Sequence, residues 1–332
     1  MSEGNEKQSA DENTDSNGNF LGLPEDPNAT PDVAILSVPY ELTTSYGQGT
    51  ENGPAATIVA SAQVELFDAL LPEDLPCGFN IRTVEAWDGN GDSLAQQQAG
   101  IEAYLSPWLD GSSFPLVLGG EHGLLPAEMR ALVGHPALAD GAGENPIAGL
   151  ANLTLVQIDA HGDLRDEMDG EPFSHACAAR RALDLGVGRI IQIGVRAFSR
   201  EEAQFITDDE RVDCFLARDL LSVCGGEAHW ASLLDTLAEL SGPVWLTLDL
   251  DGLDGSLVPN TGTPVPGGLA YWQAVDIIET LLGAPDALVL GADIVEIVPG
   301  TESPLTEFTA ANLAAKIIAA HLAAKLGAEV EA

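Results

Sequence analysis

The chain has 332 residues, a length that fits one large α/β domain or two domains of ordinary size. Its 52 Asp and Glu outnumber its 13 Lys and Arg, and the formal net charge of −39 excludes a surface that neutralises nucleic-acid phosphates or anionic lipids. Hydrophobic residues make up 45%, enough for a sizeable core, so the acidic residues belong mostly to the surface. Two explanations of that acidic surface stay open, namely adaptation to salty surroundings and attraction of a cationic substrate.

The N-terminal 19 residues are mostly Ser, Asn, Asp, Glu and Gly, a composition that predicts a disordered acidic tail. We expect residues 20–332 to form a single domain, with order beginning near Pro31. The chain shows neither a signal-peptide pattern nor an apolar run of about 20 residues, so we expect a soluble, cytoplasmic protein. The cysteines form no C-x-x-C pair, which predicts free thiols: Cys77, Cys177, Cys214 and Cys224.

Short apolar runs alternate with longer helical segments along the chain. The strand candidates are 33–38, 80–85, 115–118, 153–158, 189–193, 212–216, 244–248 and 287–292. The helix candidates are 54–61, 94–109, 124–132, 175–185, 200–205, 230–240, 271–282 and 306–326. This alternation predicts an α/β fold with an eight-stranded, mostly parallel sheet covered on both faces. Residues 134–152, rich in Gly, Pro, Ala and Asn, interrupt the pattern and are predicted to be an inserted surface loop without a chemical role.

Acidic residues and histidines follow four of the predicted strands. The sequences are G-G-E-H-G at 119–123, D-A-H-G-D at 159–163, D-L-D-G-L-D at 249–254 and D-I-V-E at 293–296. Because open parallel sheets bind ligands beyond the carboxyl ends of their strands, we expect these side chains to meet at one edge. The alternate spacing within D-x-H-x-D and D-x-D places those side chains on the same side of an extended chain.

These side chains form a mixed oxygen and nitrogen ligand set without thiolate, which favours Mn²⁺ over Zn²⁺. Six ligands exceed what a single ion with an open position needs, whereas two ions bridged by shared carboxylates fit the number. Such a pair lowers the pKa of water and makes a hydroxide nucleophile available at neutral pH. The predicted ligands are His122, Asp159, His161, Asp163, Asp249 and Asp251.

Taken in order, the four motifs and the T-G-T-P segment at 261–264 resemble the signatures of the ureohydrolases, the arginase and agmatinase family of binuclear manganese enzymes. The resemblance spans roughly residues 33 to 325 and implies a three-layer α/β/α fold with an eight-stranded parallel sheet. It also implies two Mn²⁺ ions per subunit, with Asp159 and Asp249 as bridges. One ion would be held by His122, Asp159, Asp163 and Asp249, and the other by Asp159, His161, Asp249 and Asp251.

Within the family, D-L-R-D-E at 163–167 and S-H-A-C at 174–177 resemble the agmatinase branch. Arginases carry Asn and Ser after the third aspartate to hold the α-amino acid, whereas this chain has Arg165 there and no Ser/Asn cluster. We therefore expect hydrolysis of a guanidino C–N bond that releases urea, with agmatine giving putrescine as the leading case. Either Asp166, Glu167 or Glu171 could meet the distal amine, and the sequence does not select among them.

The resemblance implies three catalytic roles. Glu296 would pair with the guanidinium group, since a carboxylate binds that planar cation in a bidentate manner. Asp163 would accept a hydrogen bond from the nucleophile and pass its proton to the leaving amine. His175 would act as a proton shuttle at the mouth of the cleft.

Several alternatives remain open at this point. The substrate could be N1-aminopropylagmatine, which yields spermidine and urea, or guanidinobutyrate, whose carboxylate Arg165 could hold. More remote are a metal-dependent deacylase, which would use one zinc and lack the paired motifs, and a non-catalytic binding subunit. By resemblance alone we expect a homo-oligomer, either a trimer or a hexamer.

Overall fold

A computed structural model describes residues 18–89, 93–139, 143 and 145–331. Its single described sheet has eight strands in the order β2-β1-β3-β8-β7-β4-β5-β6, and every neighbouring pair is parallel. The strands are β1 (Val33–Val38), β2 (Ile81–Thr83), β3 (Phe114–Gly119), β4 (Thr154–Ile158), β5 (Arg189–Val195), β6 (Val212–Leu216), β7 (Ser241–Asp249) and β8 (Asp286–Val295). The predicted eight-stranded α/β architecture is confirmed.

Helices cover both faces of the sheet and give three layers. They are α1 (Gly53–Ser61), α2 (Leu94–Leu105), α3 (Leu125–Leu132), α4 (Ala178–Leu185), α5 (Arg200–Asp208), α6 (Ala217–Leu220), α7 (Gly226–Ala238), α8 (Tyr271–Leu282) and α9 (Leu305–Glu331). Strand β1 shows why the sheet needs both layers, since all six of its residues are buried. Val33 and Ile35 pack into one apolar cluster with α7, α8 and α9, while Ala34 and Leu36 pack into another with α2, α3 and α4.

Three sequence expectations need correction. Order begins before Pro31, because Phe20 and Leu21 are buried in the core ahead of it. The segment 134–152 is more than a surface loop, since Leu138 and Leu150 are fully buried within its described residues. The predicted helix at 175–185 begins as a 3-10 turn, His175–Cys177, before α4. Residues 1–17 of the predicted tail lie outside the described residues.

The strand order brings the chemical motifs together. Strands β3, β8, β7 and β4, which carry the four motifs, are consecutive in the middle of the sheet. Because all strands run in the same direction, their carboxyl ends deliver the four loops to one edge. No helix in the described part of the chain has both the length and the apolar character required to cross a membrane.

Candidate metal centre and catalytic cavity

The candidate metal-binding side chains lie at or just after the carboxyl ends of their strands. His122 opens a 3-10 turn after β3, Asp159 follows β4 directly, and Asp249 is the last residue of β7. The approach of the β3 loop to its neighbour requires glycine at Gly120, where an added Cβ would lie 1.9 Å from the carbonyl oxygen of Tyr40. The G-G-E-H motif therefore supplies both the glycine that this backbone path requires and the candidate ligand His122.

The imidazole of His122 faces three carboxylates. Its Nδ1 lies 2.9 Å from an oxygen of Asp163, 3.2 Å from one of Asp159 and 3.6 Å from one of Asp249. The ligand atoms of His122, Asp159 and Asp249 all lie within 4.8 Å of one another, close enough to hold one cation. The structure thus brings together the four residues expected at the first ion.

A second group adjoins the first through Asp159. The Nδ1 of His161 lies 3.1 Å from an oxygen of Asp251 and 3.7 Å from Oδ1 of Asp159. Asp159 turns Oδ1 toward this group and Oδ2 toward His122, as a bridging carboxylate would. Asp249 directs Oδ2 toward His122, while its Oδ1 accepts a hydrogen bond from the backbone nitrogen of Asp251.

The hydrogen bonds around His122 suit a metal ligand. The hydroxyl of Thr247 donates to Asp293 at 2.7 Å, so its oxygen accepts from Nε2–H of His122 at 2.9 Å. In the neutral ring that binds a metal, this arrangement holds the proton on Nε2 and directs Nδ1 at the carboxylates. Nδ1 is fully buried and has no hydrogen-bond partner among the described residues, which is the condition expected of a ligand atom.

The electrostatics of the site also favour the binding of cations. Burial raises the pKa of Asp249 well above its usual value, and neighbouring Asp251 and Asp159 add to the effect. Burial together with Asp159 raises the pKa of Asp163 to about 7. Burial opposes the charge of His161, but Asp159 and Asp251 raise its pKa to about 12. Buried carboxylates this close together cannot all be ionised unless cations compensate them, and divalent ions would do so.

Glu296 lies beside this centre at the end of β8. It is 7% exposed, and its Oε1 accepts a hydrogen bond from the backbone nitrogen of His122 at 2.9 Å. Burial raises the pKa of Glu296 to about 8. Both Glu296 and Asp163 adopt positive φ angles, 59° and 51°, a strained backbone conformation for non-glycine residues that is enriched at functional sites.

A cavity of about 440 Å³ opens onto both groups. His175 lines it, together with residues of the metal groups, and its backbone nitrogen donates to the hydroxyl of Thr43 at 3.0 Å. All the residues predicted to be ligands or catalytic groups therefore lie in or around one space. Those that line the cavity itself are His122, His161, Asp163, His175, Asp249 and Glu296.

The sequence analysis assigned no role to some residues that shape the site. Arg196, the first residue after β5, donates to backbone carbonyls that include those of Asp251 and Leu253, at 2.7 and 3.1 Å, and so fixes the turn after β7. Buried Glu202 lines the cavity and accepts from the backbone nitrogens of Ser199 and Leu164. The strand-end rule would have found Arg196, whereas no local pattern marks Glu202 except its capping box.

Comparisons with known proteins agree with this geometry. The model of the Arginase family matches residues 31–320. A N(1)-aminopropylagmatine ureohydrolase of Synechocystis is 33% identical over 292 residues, covering 86% of this chain and 88% of that protein. An agmatinase of Pyrococcus horikoshii is 31% identical over 287 residues, covering 85% and 89%.

Solved structures give the same result. The agmatine ureohydrolase of Thermoplasma volcanium matches with a TM-score of 0.72 and 27% identity, covering 90% of this chain and 92% of that one. A structure described as a putative agmatinase of Clostridium difficile, 23% identical with a TM-score of 0.74, shares the fold. From these matches and the order of its motifs, this chain belongs to the arginase family.

Proposed function

We propose that this protein hydrolyses agmatine to putrescine and urea with two Mn²⁺ ions at the His/Asp centre. As an arginase-family member, the chain is a hydrolase of guanidino compounds. The observation that carries the proposal is the placement of buried Glu296 beside two groups of metal-binding residues on one cavity. The volume of this cavity, about 440 Å³, and the charged residues that line it suit a small polar substrate rather than a macromolecule.

The residues present fit the metal ions that the family implies. His122, Asp159, Asp163 and Asp249 would hold one ion, and Asp159, His161, Asp249 and Asp251 the other. Oxygen and imidazole donors without thiolate favour Mn²⁺. When bound, the ions supply a nucleophile at neutral pH by lowering the pKa of water.

The chain's own residues bind the guanidinium group and move protons. The carboxylate of Glu296 binds guanidinium N–H groups in a bidentate pair and fixes the plane of the carbon under attack. Asp163 lines the same cavity, takes a proton from the attacking water and returns it to the leaving amine. His175 lines the same cavity and carries the second proton of the attacking water to the leaving amine.

Arg165 argues against guanidinobutyrate as the main substrate. Its guanidinium lines the cavity, but its Nε lies 3.7 Å from a carboxylate oxygen of buried Glu202. Glu202 already compensates this positive charge, so Arg165 is a weak partner for a substrate carboxylate. A cationic or neutral tail fits this wall better.

A second candidate substrate is N1-aminopropylagmatine, which is longer and carries further amines. A cavity of about 620 Å³ adjoins the catalytic one, and Ser45 and Met168 line both. Of the three carboxylates that the sequence left open, only Glu171 lines this second cavity. Asp169, which the sequence analysis did not consider, also lines it. Asp166 is instead bound by Arg181 at 2.8 Å, and exposed Glu167 lines neither cavity. The second cavity would hold a distal ammonium group that agmatine lacks.

The deciding experiment is a urea-release panel with Mn²⁺-loaded protein at several salt concentrations. We expect the highest kcat/KM for agmatine, a weak response to guanidinobutyrate, and values that fall as salt screens the acidic surface. A higher kcat/KM for aminopropylagmatine would establish the second candidate. No urea from any compound would refute the function, and fewer than one ion per chain would support a binding subunit.

A matched pair of variants tests the second cavity. Glu171→Gln should lower kcat/KM for aminopropylagmatine by about twofold to fivefold, as expected for one partly exposed ion pair. Its effect on agmatine should be smaller, because the shorter substrate ends before this cavity. Glu167→Gln makes the same change in net charge outside both cavities and serves as the control. Equal losses in the two variants would contradict a role for Glu171.

The sequence also predicts a cytoplasmic location and a trimeric or hexameric assembly. The location rests on the free thiols that the cysteine pattern predicts, and the assembly rests on family resemblance alone. Light scattering of the full chain would decide the assembly.

A further inference from the structure

The mechanism leaves one buried carboxylate of the G-G-E-H motif without a role. Glu121 is fully buried and faces the loop that follows β1. Its Oε1 accepts hydrogen bonds from the backbone nitrogens of Leu42, Thr43 and Thr44, and its Oε2 accepts from the hydroxyl of Thr43. Four donors thus converge on one carboxylate, which fixes both the loop and the direction of the Thr43 O–H bond.

That direction constrains the neighbouring histidine. A hydroxyl has one hydrogen, and Thr43 gives it to Glu121, so toward any other group its oxygen can only accept. Two groups of His175 lie on this oxygen, the backbone nitrogen at 3.0 Å and the ring Nδ1 at 3.3 Å. A hydrogen bond at either contact therefore needs His175 as the donor, and at the ring this requires a hydrogen on Nδ1.

We propose that Glu121 and Thr43 are positioning residues that hold His175 as the Nδ1–H tautomer, with the lone pair of Nε2 available to accept a proton in the catalytic cavity. The proposal rests on the proposed function of that cavity. Burial lowers the pKa of His175, which favours the neutral ring that can accept a proton on Nε2. The wrong tautomer would present N–H where an acceptor is needed.

The proton balance of the reaction is consistent with this role. Hydrolysis transfers the oxygen of water to the guanidino carbon, breaks the bond to the amine nitrogen, and moves both water protons to the departing amine. Nε2 of His175 takes up one of these protons and then releases it to the amine, so the ring is neutral again after each turnover. Glu121 and Thr43 keep their protonation throughout.

The test compares variants that differ in a single hydrogen bond. Thr43→Val keeps the shape of the side chain but removes the hydroxyl, whereas Thr43→Ser keeps the hydroxyl. Glu121→Gln reverses the direction of both hydrogen bonds of Thr43. The glutamine amide would donate to the oxygen of Thr43, and the Thr43 hydrogen would then be free to donate to Nδ1 of His175. Thr44→Val is the matched control, since among the described residues the Thr44 hydroxyl has no hydrogen-bond partner, and Thr44 contacts Glu121 through its backbone nitrogen.

The first readout is the tautomer itself. We would record ¹⁵N spectra of full-length, ¹⁵N-histidine-labelled protein loaded with diamagnetic Zn²⁺, with His175→Gln to assign the signals. We expect the Nδ1–H tautomer in the original chain, in Thr43→Ser and in Thr44→Val. Glu121→Gln should show Nε2–H, and Thr43→Val should lose the single preference. An Nε2–H tautomer in the original chain, or the same spectrum in all variants, would overturn the proposal.

The second readout is turnover of agmatine by Mn²⁺-loaded protein. Thr43→Val should lower kcat by about tenfold or more with little change in KM, and Thr43→Ser should recover most of the loss. Equal losses in Thr43→Val and Thr43→Ser would indicate a merely structural role and overturn the proposal. The spectra report the tautomer of His175 even if no guanidino compound is hydrolysed. A failure of the proposed function can therefore be distinguished from a failure of this proposal.

Discussion

The substitution Thr247→Val tests how the protein prepares His122 to bind metal. Valine has the shape of threonine but lacks the hydroxyl that lies between Nε2 of His122, at 2.9 Å, and Asp293, at 2.7 Å. All three side chains are buried, so the change leaves the imidazole N–H without its acceptor. Asp293 keeps a hydrogen bond from Trp245 at 2.8 Å, which limits the damage on that side.

The magnitude follows from these two lost hydrogen bonds. Removing the partner that orients a metal-ligating histidine typically weakens metal affinity about 10-fold to 100-fold, or about 1.4–2.8 kcal/mol. Leaving the buried N–H of His122 unpaired costs about 1–3 kcal/mol in the free energy of unfolding, while Asp293 loses one hydrogen bond but keeps the one from Trp245. The first loss should appear in the metal-binding constant and the second in the stability of the metal-free chain.

The assay is a chelator-buffered titration with Mn²⁺, paired with urea unfolding of the metal-free protein. Thr247→Ser retains the hydroxyl and should bind Mn²⁺ within about threefold of the original chain, which separates the hydrogen bond from the packing. If Thr247→Val bound Mn²⁺ as tightly as the original chain, the hydroxyl would not orient the ligand, and the reasoning would be refuted.

Three further predictions concern the carboxylates. Asp249→Asn should abolish urea release and lower the metal content per chain, as measured by elemental analysis; an active, fully loaded variant would contradict its predicted bridging role. Glu296→Gln should lower kcat/KM for agmatine by about 100-fold or more while Mn²⁺ content stays unchanged, because the variant loses the guanidinium partner but no predicted ligand. In metal-free protein the pKa values of Asp163, about 7, and Glu296, about 8, lie above those of the unfolded chain, so the native state holds more protons. Stability should therefore be greatest below about pH 4 with respect to these groups and fall as pH rises to about 8, a trend that urea unfolding at successive pH values would measure. Constant or rising stability across that window would show that other groups dominate.

The sequence by itself determined the fold class and predicted the candidate metal-binding and catalytic residues. Apolar runs such as 33–38 fill strands that are buried on both faces, and this pattern specifies a parallel sheet between helical layers. Because strand ends in such a sheet share one edge, the positions of Asp159, Asp249 and Glu296 after their strands already predicted a common site. Apolar runs and the residues that follow them are close together in the chain, so a single sequence is enough to recognise them.

Only the tertiary structure decided which distant groups meet. The strand order places β8 between β3 and β7, and so sets Glu296 against the backbone of His122, 174 positions earlier. Glu121 reaches the loop at Thr43, and Thr247 reaches His122, through contacts that no spacing along the chain reveals. The proposal of Glu171 rather than Asp166 likewise came from the structure, in which Arg181 pairs with Asp166 and Glu171 lines the second cavity. Hydrogen bonds and ion pairs of this kind depend on distance in space, and the order of residues does not record that distance.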